Sequence, residues 1–187
     1  MRSIEDLYEV YRRNPVISTD TRKIVPGCIF FALKGERFNG NQYAEEALNK
    51  GAAYAVIDEP QYNGVDRILV DDVLTALQDL ARHHRRQLEI PVIGLTGSNG
   101  KTTSKELLRD ALKQKFKVYA TKGNLNNHIG VPLSILEITH EHEVAVIEMG
   151  ANHQKEIEFL CSISMPDMGF ITNYGKAHLE GFGGVKG

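Results

Sequence analysis

The run Thr96-Gly-Ser-Asn-Gly-Lys-Thr-Thr103 has the residue types that a nucleoside triphosphate requires. Gly97 and Gly100 let backbone N–H groups close on phosphate oxygens, Lys101 adds a cation, and Thr102 adds a hydroxyl able to ligate Mg²⁺. Gly97, Ser98, Asn99, Gly100, Lys101, Thr102 and Thr103 are thus the expected phosphate loop. The strict form of that loop has glycine where this chain has Leu95, so the pattern departs at one position. Two further residues could act on the same phosphates. Glu148 follows the apolar run Val144–Ile147, where P-loop enzymes often place a metal-holding carboxylate. His178 lies in a glycine-containing loop, where a histidine is more often solvated than a ligand.

Such residues converge only if the elements around them alternate correctly. Ile90–Leu95 reads as a strand, and Leu107, Leu108, Ala111 and Leu112 put an apolar face on a helix over 102–114. A strand turning into a helix presents amides at the positive helix end. Further strands are expected at 116–119, 144–147 and 168–172, with a helix near 154–162 and an asparagine-rich loop at 124–127. Upstream, Ser3 and Asp6 suggest a capping box, and strands are expected at 28–33, 53–57 and 67–70. Lys34–Asn41 reads as a polar loop, followed by a helix through Ala44, Ala47 and Leu48 that ends at Gly51. Asp71 or Asp72 caps a helix that ends near Leu88, and Pro91 marks the next join. The fold class is α/β in two units. Residues 1–88 form a small α/β unit, and 89–187 a P-loop, Rossmann-like unit with a mostly parallel sheet. The second unit reads as incomplete, because Gly181–Gly187 supplies no closing element.

Composition narrows the function classes. With 187 residues and 42% hydrophobic content the chain can bury a core, which argues against disorder. A net charge of −2 gives no general attraction to nucleic acid, and the cluster Arg82–Arg86 reads as a solvated helix end. Cys28 and Cys161 lack metal or redox spacing and read as reduced, buried thiols. No secretion signal and no apolar run of about 20 residues is present, so a cytoplasmic protein without membrane insertion is expected.

Several segments together resemble the Mur ligases, the amide-forming enzymes of peptidoglycan precursor synthesis. They are the phosphate loop, Ser18–Gly40, Gly123–Leu133, Glu148–Gln154 and Ala177–Gly183, in family order across nearly the whole chain. The last two favour the branch that joins D-alanyl-D-alanine to a UDP-N-acetylmuramoyl-tripeptide. That resemblance implies ATP and Mg²⁺ as cofactors, with Thr102, Glu148 and His178 on the metal and Lys101, Glu148 and His178 in catalysis. It further implies that Thr21, Arg22, Glu36, Arg37, Phe38 and Asn39 hold the uridine diphosphate end, with Asn126 and Asn127 between sugar and γ-phosphate. Arg22 also suits phosphate in its own right, through the guanidinium fork.

The resemblance implies an acyl-phosphate intermediate and a second-metal lysine beyond residue 187, which Lys186 does not match. It also implies a third domain absent from this sequence, so these residues alone should not complete the reaction. Alternatives remain. A folylpolyglutamate synthetase would lack the Thr21–Asn39 motif, and a GTPase switch would need Asn-Lys-x-Asp, whereas Asn49-Lys-Gly-Ala52 has no aspartate. A non-catalytic UDP-sugar-binding module would bind nucleotide sugar without amine-dependent ADP release.

Overall fold

Alternating apolar strands and amphipathic helices build two α/β units in a computed structural model that describes residues 3–175. The units divide between His83 and His84, inside a helix and ahead of Pro91.

In the first unit, helix α1 (Ile4–Arg13) starts at the expected capping box, with Ser3 and Asp6 exchanging side-chain-to-backbone bonds. Strands β1 (Ile17–Ser18), β2 (Ile29–Phe31), β5 (Tyr54–Ile57) and β6 (Arg67–Leu69) form a parallel sheet in that order. Both faces of β2 are buried, as covered parallel sheets require. Phe30, Ala32, Ala55 and Ile57 pack with Ala44 and Ala47 of helix α2 (Ala44–Asn49), where small side chains admit close approach. Lys34–Asn41 is not a plain loop. Lys34–Gly35 (β3) and Phe38–Asn39 (β4) pair as an antiparallel hairpin, too short to leave a periodic signal. Helix α3 (Val73–Gln87) begins at Asp72, whose Oδ1 accepts from Thr75 N at 2.7 Å.

The second unit contains β7 (Val92–Thr96), α4 (Lys101–Leu112), β8 (Val118–Ala120), α5 (Gly130–Leu136), β9 (Val144–Glu148), α6 (Glu156–Ser164) and β10 (Met168–Ile171). Its sheet is wholly parallel, in the order β10-β7-β9-β8. The short buried helix α5 was not expected, since Gly130 and Pro132 weaken its helical pattern. Among the described residues no helix is long and apolar enough to cross a membrane.

Three further expectations change. The expected apolar face of α4 is wrong at Leu107, which is 67% exposed, and at Ala111, also exposed, whereas Lys105 is buried. The sheet-facing stripe runs through Lys101, Lys105, Leu108 and Leu112 at helical spacing, so a charged residue takes a core position. Nor is Arg82–Arg86 a solvated end, since His84 and Arg85 are buried. His84 Nε2 lies 2.8 Å from the Ile138 carbonyl, and Arg85 reaches the backbone around Ser164. Both cysteines are free thiols, but Cys161 is only partly buried.

Candidate nucleotide and metal site

Strand order decides where a ligand can sit. The connection from β7 to β8 passes beyond β9, and the connection from β9 to β10 passes beyond β7 on the other side. Crossovers leaving in opposite directions open a crevice at the carboxyl ends of β7 and β9. The loop Gly97–Gly100 follows β7 there, and Glu148 ends β9 in register with Leu95. Gly97 has φ +139° and lies so close to β10 that an added Cβ would stand 2.0 Å from Thr172 Oγ1. Gly100, at φ +75°, is the left-handed residue from which α4 starts.

The loop is fastened to the segment after β10. Thr172 Oγ1 donates to the Asn99 carbonyl at 2.6 Å, and Asn99 N donates to Asn173 Oδ1 at 3.1 Å. Ser98 Oγ donates to the Gly175 carbonyl at 3.0 Å and accepts from Gly175 N at 2.8 Å. The first-turn amides of α4 have no intrahelical acceptors, as at any helix start, and the helix dipole adds positive potential. Lys101 Nζ donates to the Gly97 carbonyl at 2.7 Å, folded across the loop at whose phosphates it would act.

Glu148 is the centre of the polar cluster and is 1% exposed. Its backbone N–H donates to Thr121 Oγ1 at 3.0 Å, which fixes the strand end. Oε1 accepts from Asn126 Nδ2 at 2.8 Å and lies 3.4 Å from Thr102 Oγ1. Oε2 is buried without a hydrogen bond, 3.5 Å from Lys105 Nζ. Thus a carboxylate and a hydroxyl, both hard oxygen donors, meet beside the phosphate loop. With phosphate oxygens and water added, such a set suits Mg²⁺, which rarely takes an all-protein cage. Among the described residues no group of three His, Cys, Asp or Glu could hold a metal unaided. These residues therefore fit Mg²⁺ as a partner of bound nucleotide. His178 lies outside the described residues.

The asparagine loop divides its work. Asn126 addresses Glu148, whereas Asn127 Oδ1 accepts from Ile129 N at 3.1 Å and Gly130 N at 2.8 Å, at the start of α5. A lysine in a helix ordinarily reads as solvated, and only the spacing from Lys101 to Lys105 to Leu108 marks Lys105 as inward-facing.

In the first unit, Thr21 and Arg22 lie on a single 3₁₀ turn capped by Asp20. Arg22 forks onto Asp20, with Nε 2.9 Å from Oδ1 and Nη2 2.7 Å from Oδ2. The Arg22 side chain and then its backbone N–H hold the Asp20 carboxyl well below the usual range. Glu36 and Arg37 form the exposed tip of the β3–β4 hairpin. Phe38 is 57% exposed and its ring lies against Gly35, where an added Cβ would come within 2.3 Å of it. Asn39 is engaged internally: Oδ1 accepts from Asn41 N at 3.0 Å and Nδ2 donates to Glu59 Oε1 at 2.9 Å. The hairpin base is moored to Asp58, which accepts from Lys34 Nζ at 2.9 Å, Asn41 Nδ2 at 2.8 Å and Val73 N at 3.2 Å. Thr21, Arg22 and the hairpin tip are all accessible to a ligand.

Comparison with known proteins gives the same architecture. Residues 95–187 match the Mur ligase middle domain, and residues 15–85 match the Mur ligase family, catalytic domain. The UDP-N-acetylmuramoyl-tripeptide--D-alanyl-D-alanine ligase of Escherichia coli K12 is 44% identical over 171 residues, covering 91% of this chain and 38% of its own length. A crystal structure of MurF from Acinetobacter baumannii superposes with a TM-score of 0.88 at 37% identity, covering 97% of this chain and 43% of that one. MurF ligase from Thermotoga maritima in complex with ADP gives a TM-score of 0.74 at 35% identity, over 89% of this chain and 37% of that one. The chain thus spans about two fifths of the length of the relatives it matches. Two family matches in series, on the two units the fold displays, place the chain in the Mur ligase family.

Proposed function

We propose that this chain supplies the nucleotide-sugar and ATP-binding parts of a ligase joining D-alanyl-D-alanine to a UDP-N-acetylmuramoyl-tripeptide, in cytoplasmic peptidoglycan precursor synthesis and hence cell-wall growth and division. The observation that carries this reading is the approach of Thr102, in the first turn of α4 directly after the phosphate loop, to within 3.4 Å of Glu148 at the end of β9. In this reading residues 1–88 hold the substrate and 89–187 hold ATP on Gly97–Thr103. Thr21, Arg22 and Glu36–Asn39 meet the uridine diphosphate. Asn126 and Asn127 line the path to the γ-phosphate, and Thr102, Glu148 and His178 face Mg²⁺.

A peptide carboxylate is a weak electrophile. One of its oxygens attacks the γ-phosphorus, ADP leaves, and the carboxyl carbon becomes an acyl phosphate. The amine of D-alanyl-D-alanine then adds to that carbon, phosphate departs with the bonding pair, and the surplus proton on nitrogen leaves with the phosphate. The first step brings two anions together, so cations and N–H dipoles must lie where charge accumulates. Lys101 leaves the Gly97 carbonyl for the β- and γ-phosphates, while the amides of Gly97–Thr103 hold them in line. When bound, Mg²⁺ would offset charge on the transferring phosphoryl group. Asn126 keeps Glu148 Oε1 turned toward Thr102.

The test is ADP release by the intact protein given Mg-ATP, UDP-N-acetylmuramoyl-tripeptide and D-alanyl-D-alanine, each omitted in turn. Release should need both acceptor substrates and fall about 10²–10³-fold in Lys101→Ala, the scale of losing one main electrostatic donor. Release that ignores the dipeptide would sink this assignment.

A further inference from the structure

The Lys105 side chain is 1% exposed, in a helix stripe that continues through the apolar Leu108 and Leu112. An ammonium removed from water must be matched by oxygens or anions. Here its Nζ has Glu106 Oε1 at 3.3 Å, the Gly123 carbonyl at 3.4 Å and Glu148 Oε2 at 3.5 Å. Glu106 also pairs with Arg109, so its charge is shared. Glu148 is 1% exposed and has Lys105 as its cation. The two carboxylate oxygens are divided: Oε2 faces Lys105, while Oε1 accepts from Asn126 and faces Thr102.

We propose that Lys105 is a positioning residue that makes divalent-metal binding conditional on nucleotide, by neutralising Glu148 and leaving it one oxygen to offer. The inference rests on the reading of Glu148 as the metal-side carboxylate. A buried Glu–Lys pair carries no net charge, so a free divalent cation gains little there over its own hydration shell. Phosphate oxygens change that balance, because they bring negative charge and further ligands to the same point. Lys105 meanwhile ties the Gly123 loop to α4, which keeps Asn126 within reach of Oε1.

The sign of the expected effect separates this role from a structural one. A lysine needed only for packing would, when replaced, loosen the site and weaken metal binding. A lysine that withholds negative charge from the metal would, when replaced, strengthen metal binding in the absence of nucleotide. The experiment titrates Mn²⁺ into the intact protein at pH 8.5, where proton competition for ligands is small. Free Mn²⁺ is read by electron paramagnetic resonance, with and without ADP. Lys105→Met should bind Mn²⁺ without ADP about tenfold more tightly than wild type, a typical size for changing a partner of a metal ligand. The gain should vanish in Lys105→Met/Glu148→Gln, and ADP should enhance Mn²⁺ affinity less than in wild type.

Lys105→Gln keeps donors for Gly123 and Glu148 without the charge, and should show the same direction if Lys105→Met fails to fold. Unchanged or weaker ADP-free binding in a folded variant would overturn the proposal. So would the failure of both variants to fold, which would assign Lys105 to the core alone. If Glu148→Gln leaves Mn²⁺ binding with ADP unchanged, the reading of Glu148 itself falls, a separate result.

Discussion

Truncating Arg85 to alanine removes one guanidinium that answers four acceptors at once. Nε donates to the Ser164 carbonyl at 3.0 Å, Nη1 to Leu88 O at 3.1 Å, and Nη2 to Met165 O at 3.0 Å and Asp167 Oδ2 at 2.9 Å. The side chain is 9% exposed, so solvent screens these contacts little, although Asp167 is 53% exposed and keeps its bond from Val92 N. Met165 ends α6 in a left-handed conformation, where Arg85 helps to satisfy the terminal carbonyls. Each buried acceptor left open costs about 1–3 kcal/mol, and breaking a buried charged contact costs about 3–5 kcal/mol. Because Asp167 stays half in water, the lower end applies, about 3 kcal/mol. With a urea slope near ~1.5 kcal/mol/M, the midpoint of the second unit should fall by roughly 2 M. Hydrogen exchange of β7 and β9 amides during a urea series reads that unit directly. Arg85→Lys, with a point charge in place of a fork, should recover only part of the loss. An alanine variant melting within about 0.5 M of wild type would refute the clamp.

Gly97→Ala should nearly abolish nucleotide binding, because its Cβ would stand 2.0 Å from Thr172 Oγ1 at a φ of +139°, and calorimetric titration with ADP checks this. Gly100→Ala meets no atom within 4 Å and bears only the left-handed strain, roughly 1–2 kcal/mol, so its ADP affinity should fall less. Burial alone would raise the Asp58 pKa, but the Lys34 ammonium, the Asn41 amide and Val73 N–H outweigh it and hold the carboxyl low. A depressed carboxylate stabilises the fold above its unfolded pKa, near 3.8, and that contribution fades as pH falls through the lower folded value. Asp58→Asn should therefore lower first-unit stability at pH 7 and flatten its loss below about pH 4, read from urea midpoints across pH.

The parts of this fold that were legible in sequence share one property: a backbone demand that few residue types can meet. Glycine at 97 and 100, Ser3 with Asp6, and Asp72 before α3 each announce a turn or cap from local chemistry. The buried run Val144–Ile147 declares a central strand for the same reason. Side chains whose role depends on distant partners gave no such signal. Arg85 looks like one cation among several until Ser164 and Asp167 are brought beside it from about 80 residues away. Asn39 reads as a free polar side chain until its two ends are found on Asn41 and Glu59. Lys105 shows the limit most clearly. Reading polar residues outward placed the apolar face on Leu107, yet moving the stripe to include Lys105 accounts for Leu108 and Leu112 as well. A charge in a core stripe is costly unless an opposite charge is buried with it. The partner here is the very carboxylate that a strand end, a threonine and an asparagine already converge upon. The cost is tolerable in a fold that uses the pair, which is why α4 carries lysine where packing alone would favour leucine.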